Sequence, residues 1–236
     1  MWHIVRRVPP AGPIHLKPAA ELAPRVLLPG DPHRALAVAQ SLLEQPKMFN
    51  HHRGLWGYTG AAADGEPLTI QATGMGGPSA AIVLTELVAL GARRAIRVGT
   101  CGALDRSLRL GELLVATEAI SADGTSRALG ADGRVAADDA LTGALRSAAP
   151  AARAGAVVSV DLFYERGPAG AGHDALAVEM EAATLFALGH VEGAAVGCLL
   201  TVTDVFDEQG ERTRISDHDL LAAAERMGAA AIAALS

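Results

Sequence analysis

Residues 80–102 of the 236-residue chain read AAIVLTELVALGARRAIRVGTCG, and this stretch predicts the fold class. Ala80–Leu90 is almost entirely apolar, which favours a helix packed on a core, and Gly91 is a typical residue for ending a helix. Ala95–Val98 then forms an apolar strand that runs into Gly99–Gly102. A helix leading into a buried strand is typical of α/β proteins, in which ligands bind at the carboxyl ends of the strands.

Short apolar segments alternate with longer amphipathic segments along the rest of the chain. Strands are also predicted at Arg25–Leu28, Trp56–Ala62, Leu68–Thr73, Glu112–Ile120, Ala156–Val160 and Ala194–Val202. Helices are also predicted from the turn Pro29–Pro32 through about Gln45, at Asp138–Ala149, at Glu181–Leu188 and at Ser216–Leu235. Asp64-Gly65 between two strands is a hairpin signal that interrupts strict alternation. We therefore expect one domain over residues 1–236, a three-layer α/β/α sandwich with a mixed central sheet.

Three segments carry little periodic pattern. Residues 1–12 are expected to be irregular, and the polar, glycine-rich stretch Ser121–Asp138 is expected to be the longest loop. Gly167–Gly172 is expected to be a simple connector, with a lid that closes over a ligand as the alternative.

Composition excludes several classes of protein. The formal net charge of −6 argues against a general nucleic-acid binder, which needs a basic face. Cys101 and Cys198 lie far apart without CxxC spacing, so neither a metal framework nor a disulfide lattice is expected. The first residues, MWHIVRRVPPAGP, lack the apolar region of a signal peptide, and no apolar run is long enough to span a membrane. We expect a cytoplasmic protein.

Two glycine-containing motifs precede predicted helices. In PGDPHR, residues 29–34, Gly30 allows close backbone approach and Arg34 lies on the first helical turn, which together suit an anion. An ordinary turn with a surface arginine is the alternative. In GMGGPS, residues 74–79, Ser79 replaces the third glycine of a dinucleotide-binding fingerprint, and the lysine of a P-loop is missing. A nucleotide cofactor is therefore not expected.

Arg97 lies inside a strongly apolar strand. Burying a guanidinium is unfavourable unless an anion or a carboxylate compensates it, so we expect either a bound anion or a structural ion pair. Thr100 follows at the carboxyl end of the strand, where ligands bind in open sheets. Cys101 has no histidine near it in sequence and is interpreted as a wall of the pocket.

Two further motifs carry carboxylates. In VEMEA, residues 178–182, one of Glu179 and Glu181 could bind ligand hydroxyls while Met180 packs under a sugar ring; an acidic helix N-terminus is the alternative. In TVTD, residues 201–204, apolar neighbours half-bury Asp204 and favour its protonated form, which suits a general acid. Capping of the following loop is the alternative.

In this order, the motifs resemble the nucleoside phosphorylase family that contains bacterial hexameric purine nucleoside phosphorylases and uridine phosphorylases. The resemblance runs from about Pro13 to the carboxyl terminus. Further matches are PIH at 13–15, HHRG at 51–54 and VDLFY at 160–164. The resemblance implies reversible phosphorolysis of purine ribonucleosides or 2′-deoxyribonucleosides, with inorganic phosphate as co-substrate and no metal or organic cofactor.

The same resemblance implies roles for individual residues. Phosphate would be bound by Gly30, Arg34, Arg97 and Thr100, with Arg53 contributed by a neighbouring subunit. Ribose would be bound by Met180 and Glu181, with His15 reaching across the subunit interface. The base would be surrounded by Cys101, Gly102, Phe163, Val178 and Glu179. Asp204 would protonate the purine, with Arg212 as its partner and Arg214 as the alternative partner. The implied assembly is a homohexamer, a trimer of dimers.

The choice between purine and pyrimidine depends on a short segment. Uridine phosphorylases carry a glutamine and an arginine after the Phe-Tyr pair, whereas this chain has Glu165 and Arg166 there. They also usually lack an aspartate at the position of Asp204, so both differences favour purines. The alternatives are a uridine phosphorylase, a related nucleosidase that uses water, and a nucleoside-binding protein without activity. Retention of the arginines and of Asp204 argues against the last two.

Overall fold

The computed structural model of the protein describes residues 12–164 and 172–236. Within these residues, eleven strands belong to one sheet. The strands are β1 (Arg25–Leu28), β2 (Leu43–Asn50), β3 (Gly57–Ala62), β4 (Pro67–Gln71), β5 (Arg94–Ala103), β6 (Leu113–Ser121), β7 (Arg134–Ala136), β8 (Arg153–Ser159), β9 (Ala177–Glu179), β10 (Ala195–Phe206) and β11 (Arg212–Arg214). The α-helices are α1 (Pro32–Leu42), α2 (Gly77–Leu90), α3 (Gly124–Ala128), α4 (Asp139–Ala148), α5 (Ala182–Glu192) and α6 (Asp217–Leu235).

The sheet is mixed, as predicted. Its order is β11-β10-β6-β8-β9-β5-β1-β4-β3-β2, with β7 paired to β6. Strand β5 lies at its centre, parallel to both β1 and β10. Because β10 pairs with β5 as well as with β6, the strands β5, β10, β6, β8 and β9 close into a ring. The sequence did not predict this ring, since a strand's second partner is not visible in its own pattern.

Helices cover the sheet in two groups. Helices α2, α3 and α5 contact one another, while α6 contacts α1 and α4. Successive residues of β10 serve different cores, because side chains alternate along a strand. Cys198 and Leu200 belong to the core that contains Phe186 of α5, whereas Leu199 belongs to the core that contains Met227 of α6. The three layers predicted from the sequence are confirmed.

The hairpin prediction at Asp64-Gly65 is also confirmed, since β3 and β4 pair in antiparallel fashion around it.

The predicted end of the first helix is wrong, because α1 stops at Leu42 and the chain continues directly as β2. Pro46 disfavours a helical backbone at the preceding residue, and Gln45 has a positive φ of 42°. Strand β2 is completed by pairing with β3.

The prediction of one long loop at Ser121–Asp138 is wrong as well. Asp123 caps α3 by accepting a hydrogen bond of 2.8 Å from the Ser126 backbone N–H, and β7 pairs with β6. Residues 1–11 lie outside the described residues, and so does most of the Gly167–Gly172 connector together with Glu165 and Arg166. No helix in the described part of the chain is long and apolar enough to cross a membrane.

The core predicts a stability difference between two positions of α5. Phe186 is 1% exposed, so Phe186→Ala leaves a cavity and should lower the free energy of unfolding by about 3–5 kcal/mol. Val191 is 57% exposed on the same helix, and Val191→Ala should change it by about 0.5 kcal/mol or less. Urea denaturation measures both values. Equal losses in the two variants would contradict the assignment of the core.

Candidate active site

A cavity of about 400 Å³ opens at the carboxyl ends of the parallel strands β1, β5 and β10. This volume is in the range of small-molecule sites. The predicted site residues in its wall are Gly30, Arg34, Arg97, Thr100, Cys101, Gly102, Phe163, Val178, Glu179, Met180, Glu181, Asp204 and Arg212. His15 and Arg53, which the structure also describes, lie outside this wall.

Arg97 is buried at the inner end of the cavity. It lies on β5 with Leu28 of β1 and Cys198 of β10 as its neighbours in register. Its Nε donates to Glu179 Oε2 at 3.0 Å, and its Nη2 lies 2.6 Å from Glu181 Oε2. Burial alone would lower the pKa of Arg97, but the two carboxylates outweigh burial and raise it. The structural ion pair that the sequence left open is therefore present, on a residue that also faces the cavity.

Both carboxylate oxygens of Glu179 accept hydrogen bonds. Its carboxylate accepts hydrogen bonds from the Ser159 hydroxyl, from the Glu181 backbone N–H at 2.8 Å and from the Ala182 backbone N–H at 2.9 Å. The last two donors belong to the start of α5, where backbone N–H groups lack partners within the helix. Burial raises the pKa of Glu179, against the effect of Arg97. Since these partners already occupy both oxygens, the predicted contact of Glu179 with a base stays a prediction.

Glu181 stands between two segments of the wall. Besides its ion pair with Arg97, its Oε1 accepts a hydrogen bond from the Gly76 backbone N–H at the start of α2. Gly76 has a φ of 83°, a left-handed conformation that glycine adopts without strain. The glycine-rich motif thus serves to bring a backbone N–H onto this carboxylate. Met180 lies beside Glu181 in the same wall.

Arg34 contributes a positive charge to the cavity wall. Asp31 caps α1 by accepting a hydrogen bond of 2.8 Å from the Arg34 backbone N–H, which fixes the first helical turn at the cavity. The Arg34 Nη1 is buried and has no hydrogen-bond partner among the residues that the structure describes. Burial, and then the charge of Arg97, lower the pKa of Arg34, and Asp31 and Glu181 oppose this shift. A buried guanidinium nitrogen without a hydrogen-bond partner is typical of an anion-binding site.

Asp204 and Arg212 form a second polar group in the same cavity wall. The Nε and Nη2 of Arg212 both lie 2.6 Å from Asp204 Oδ1, whereas Arg214 Nη1 is 3.8 Å from that atom. The structure therefore selects Arg212 over Arg214 as the hydrogen-bond partner of Asp204. Arg212 also lies over the ring of Phe163, 5.1 Å from its centroid. One guanidinium thus joins the acid to an aromatic wall.

Cys101 is a buried part of the wall. Burial, and then the charge of Glu179, raise the pKa of its thiol, which therefore stays protonated at neutral pH. This agrees with its interpretation as a wall residue.

Among residues 12–164 and 172–236, no group of three or more His, Cys, Asp or Glu side chains is arranged to hold a metal ion.

His15 is anchored at a distance in sequence by Glu86 of α2. The Glu86 carboxylate accepts backbone hydrogen bonds from Ile14, His15 and Leu16, and its Oε1 lies 2.8 Å from His15 Nδ1. Burial would raise the pKa of Glu86, but these hydrogen bonds lower it overall. Arg53 is exposed in the 3-10 turn His52–Gly54 and has a positive φ of 58°.

Comparison with known proteins points to the same family as the motifs. The model of the phosphorylase superfamily matches residues 24–236. The chain belongs to this superfamily. Three similar members are each named purine nucleoside phosphorylase DeoD-type. That of Geobacillus kaustophilus is 39% identical over 78% of this chain and 82% of its own length. Those of Alkaliphilus metalliredigens and Clostridium beijerinckii are 37% and 36% identical, over 82% and 88% of this chain and 87% and 92% of their own lengths.

Sequence reasoning missed three residues that support this phosphorylase-superfamily site. Ser159 holds Glu179, Glu86 anchors the segment of His15, and Thr203 contacts Asp204. Glu86 carried a signal, because it is the only charged residue in the apolar stretch Ala80–Leu90. A carboxylate there needs buried donors. Ser159 carried none, since its hydroxyl meets Glu179 only through the pairing of β8 with β9. Thr203 and Asp204 are neighbours in the chain, but neighbours in a regular strand face opposite sides, so no pattern indicated their contact.

The anchoring of His15 predicts a dependence of stability on pH. The lowered pKa of Glu86 means that its ionised form stabilises the fold above the ordinary value of about 4.3, and that this contribution disappears as the pH falls through the folded pKa. Glu86→Gln should therefore cost about 1.5–3 kcal/mol at neutral pH and progressively less in acid.

Urea denaturation at a series of pH values measures this difference. Glu21→Gln, at an exposed carboxylate, is the matched control and should follow the wild type throughout. A Glu86→Gln deficit that stays constant down to about pH 3 would contradict the role of the ionised carboxylate.

Proposed function

We propose that the protein catalyses the reversible phosphorolysis of purine ribonucleosides and 2′-deoxyribonucleosides to the free base and the pentose 1-phosphate. The proposal rests on one cavity, whose wall includes both Arg34, with an Nη1 that is unpaired among the described residues, and the Asp204–Arg212 pair. The first suits an anionic nucleophile and the second suits protonation of a leaving base. The names of the similar proteins point to the same activity.

Arg34 is the centre of the proposed phosphate site. Its free Nη1, the backbone at Gly30 and the Thr100 side chain would hold a phosphate dianion next to the buried Arg97. Breaking an N-glycosidic bond builds positive charge on the sugar, and a dianion fixed beside it stabilises that charge while serving as the nucleophile. Phosphate is thus a co-substrate, and the proposed reaction requires no metal and no organic cofactor.

Glu181 and Met180 would bind the sugar between the phosphate and the base. Arg97 and the Gly76 N–H fix the Glu181 carboxylate in place, and its remaining lone pairs suit the 2′- and 3′-hydroxyls of ribose. The apolar thioether of Met180 suits the face of the sugar ring. A preorganised carboxylate of this kind binds without further rearrangement.

Asp204 would act as the general acid toward the purine. The base would occupy the wall formed by Cys101, Gly102, Phe163, Val178 and Glu179. As the glycosidic bond breaks, negative charge develops on the base, and a proton from Asp204 to the imidazole ring neutralises it. Proton donation of this type contributes about 10²–10⁴-fold in rate. Arg212 then stabilises the carboxylate that remains.

Base release from inosine, guanosine, adenosine and uridine, each with and without inorganic phosphate, tests the proposal. Phosphate-dependent release from purine nucleosides is the expected result. Release from uridine alone would replace the proposal with a uridine phosphorylase. Release that does not need phosphate would indicate a hydrolase, and no release from any nucleoside would leave a binding protein.

The phosphate site predicts a specific defect in Arg34→Gln. Removing this cation should raise the KM for phosphate at least about tenfold while changing the KM for inosine much less, since a charge-assisted contact is worth about 1.5–3 kcal/mol. Arg106→Gln, at an exposed arginine outside the cavity wall, is the control and should match the wild type. Steady-state kinetics with varied phosphate provide the comparison, and an unchanged KM for phosphate would remove Arg34 from the site.

We also propose that each site is completed by a second copy of the chain, within a homohexamer built as a trimer of dimers. His15 and Arg53 lie outside the cavity wall of their own chain, yet both belong to motifs shared with the family. Arg53 is exposed and therefore available to a neighbouring subunit. The cytoplasmic location expected from the sequence stays a prediction.

Subunit mixing tests this assembly. Arg53→Ala and Asp204→Ala should each be nearly inactive alone. When the two are co-expressed, a site with its own Asp204 and the partner's Arg53 is intact, so activity should rise above that of either variant. Sedimentation of the wild type gives the number of subunits. A fully active monomer, or no gain on mixing, would refute the shared site.

A further inference from the structure

Thr203 occupies an irregular position next to the proposed acid. In the pairing of β10 with β5, Val202 lies opposite Cys101 and Asp204 lies opposite Gly102, so Thr203 is the extra residue of a bulge. Neighbouring residues of a regular strand face opposite sides, whereas a bulge re-aims a side chain. As a result, both Thr203 and Asp204 line the cavity.

The Thr203 hydroxyl has two acceptors within reach but only one hydrogen to donate. Its Oγ1 lies 2.7 Å from Asp204 Oδ2 and 3.2 Å from the Cys101 carbonyl oxygen. These two bonds are therefore alternatives. Thr203 and Asp204 are 4% and 6% exposed, so bulk water does not replace either bond.

The two oxygens of Asp204 have different partners. Arg212 donates to Oδ1, so Oδ1 is already engaged as a hydrogen-bond acceptor. When Asp204 is neutral, its proton is therefore on Oδ2, the oxygen that faces the Thr203 hydroxyl. This is also the proton that the proposed reaction consumes.

We propose that Thr203 is a positioning residue whose hydroxyl turns from the Cys101 carbonyl to Asp204 Oδ2 as Asp204 gives up its proton. This inference rests on the proposed function. An oxygen of phosphate forms a bond to C1′ of the sugar as the glycosidic bond breaks. The electron pair of the glycosidic bond goes to the base, and the Oδ2 proton moves to a nitrogen of its imidazole ring. Asp204 becomes a carboxylate, and Thr203 keeps its own hydrogen throughout and only rotates.

The rotation places a donor on the atom where charge develops. Before the transfer, the Thr203 hydrogen is held by Cys101 and leaves the Oδ2 proton undisturbed. After the transfer, Arg212 stabilises Oδ1 and Thr203 stabilises Oδ2. A preorganised donor at the site of a developing charge lowers the barrier without a large rearrangement.

The test compares two substrates that differ in their need for a proton. Inosine requires protonation of the leaving base, whereas 7-methylguanosine already carries positive charge on its imidazole ring. In Thr203→Val, kcat for inosine should fall about 10- to 100-fold, the worth of one hydrogen bond to a charged group. The kcat for 7-methylguanosine should stay within about twofold, and Thr203→Ser should restore most of the activity on inosine.

Two further variants separate this effect from damage to the fold. Thr201→Val alters the same strand, but the Thr201 hydroxyl contacts the Met227 sulfur at 3.6 Å in the core, so both substrates should be unaffected. Thr203→Ala removes the hydroxyl without placing a methyl group against the carboxylate, and it should repeat the Thr203→Val pattern. Thermal unfolding midpoints accompany all four variants.

Three outcomes would overturn the inference: full activity of Thr203→Ala on inosine, equal losses on both substrates, or a Thr203→Ser variant as slow as Thr203→Val. Wild-type protein that releases neither base in the presence of phosphate would instead refute the proposed function itself. The wild-type assay therefore distinguishes failure of the function from failure of the role of Thr203.

Discussion

The buried guanidinium of Arg97 is the constraint on which the rest of the site depends. A cation in the middle of a sheet is strongly destabilising unless carboxylates surround it, and removing one partner of such a pair typically costs about 3–5 kcal/mol. Glu179 and Glu181 supply these charges from a single short segment. Their junction between β9 and α5 is therefore held against β5. Through the Gly76 N–H, Glu181 also holds the start of α2 at the same place.

The charged residues of the cavity have separate partners because Arg97 is paired with Glu179 and Glu181. Two donors of Arg97 bind carboxylates. The buried side-chain nitrogen that has no hydrogen-bond partner within the described residues belongs to Arg34. Asp204 is held by a different arginine, Arg212, which also stacks on Phe163. The proposed cation for the nucleophile and the proposed acid for the leaving base thus lie in one cavity without neutralising each other. The proposed chemistry needs this separation, because a direct pair between Arg34 and Asp204 would use up both groups.

Much of the fold could be predicted because its elements are locally determined. The helix over Ala80–Leu90, the strand at Ala95–Val98 and the Asp64-Gly65 hairpin all have patterns that depend on their own residues. The strands that were missed depend on partners. Strands β7, β9 and β11 have three residues each, too few to show a period, and they exist because a neighbouring strand pairs with them. The ring of five strands has the same origin, since it depends on β10 meeting β5.

The α/β class, the family and most of the residues in the cavity wall could be predicted from the sequence alone. These follow from local periodicity and from short motifs, which survive without knowledge of distant contacts. Three features follow only from the folded chain. Arg97 is paired, whereas the Arg34 Nη1 has no partner within the described residues. Arg212 rather than Arg214 holds Asp204, and Thr203 faces the cavity from a bulge. Each of these depends on distances between segments far apart in the chain, and hydrogen bonding and burial depend on those distances rather than on residue type.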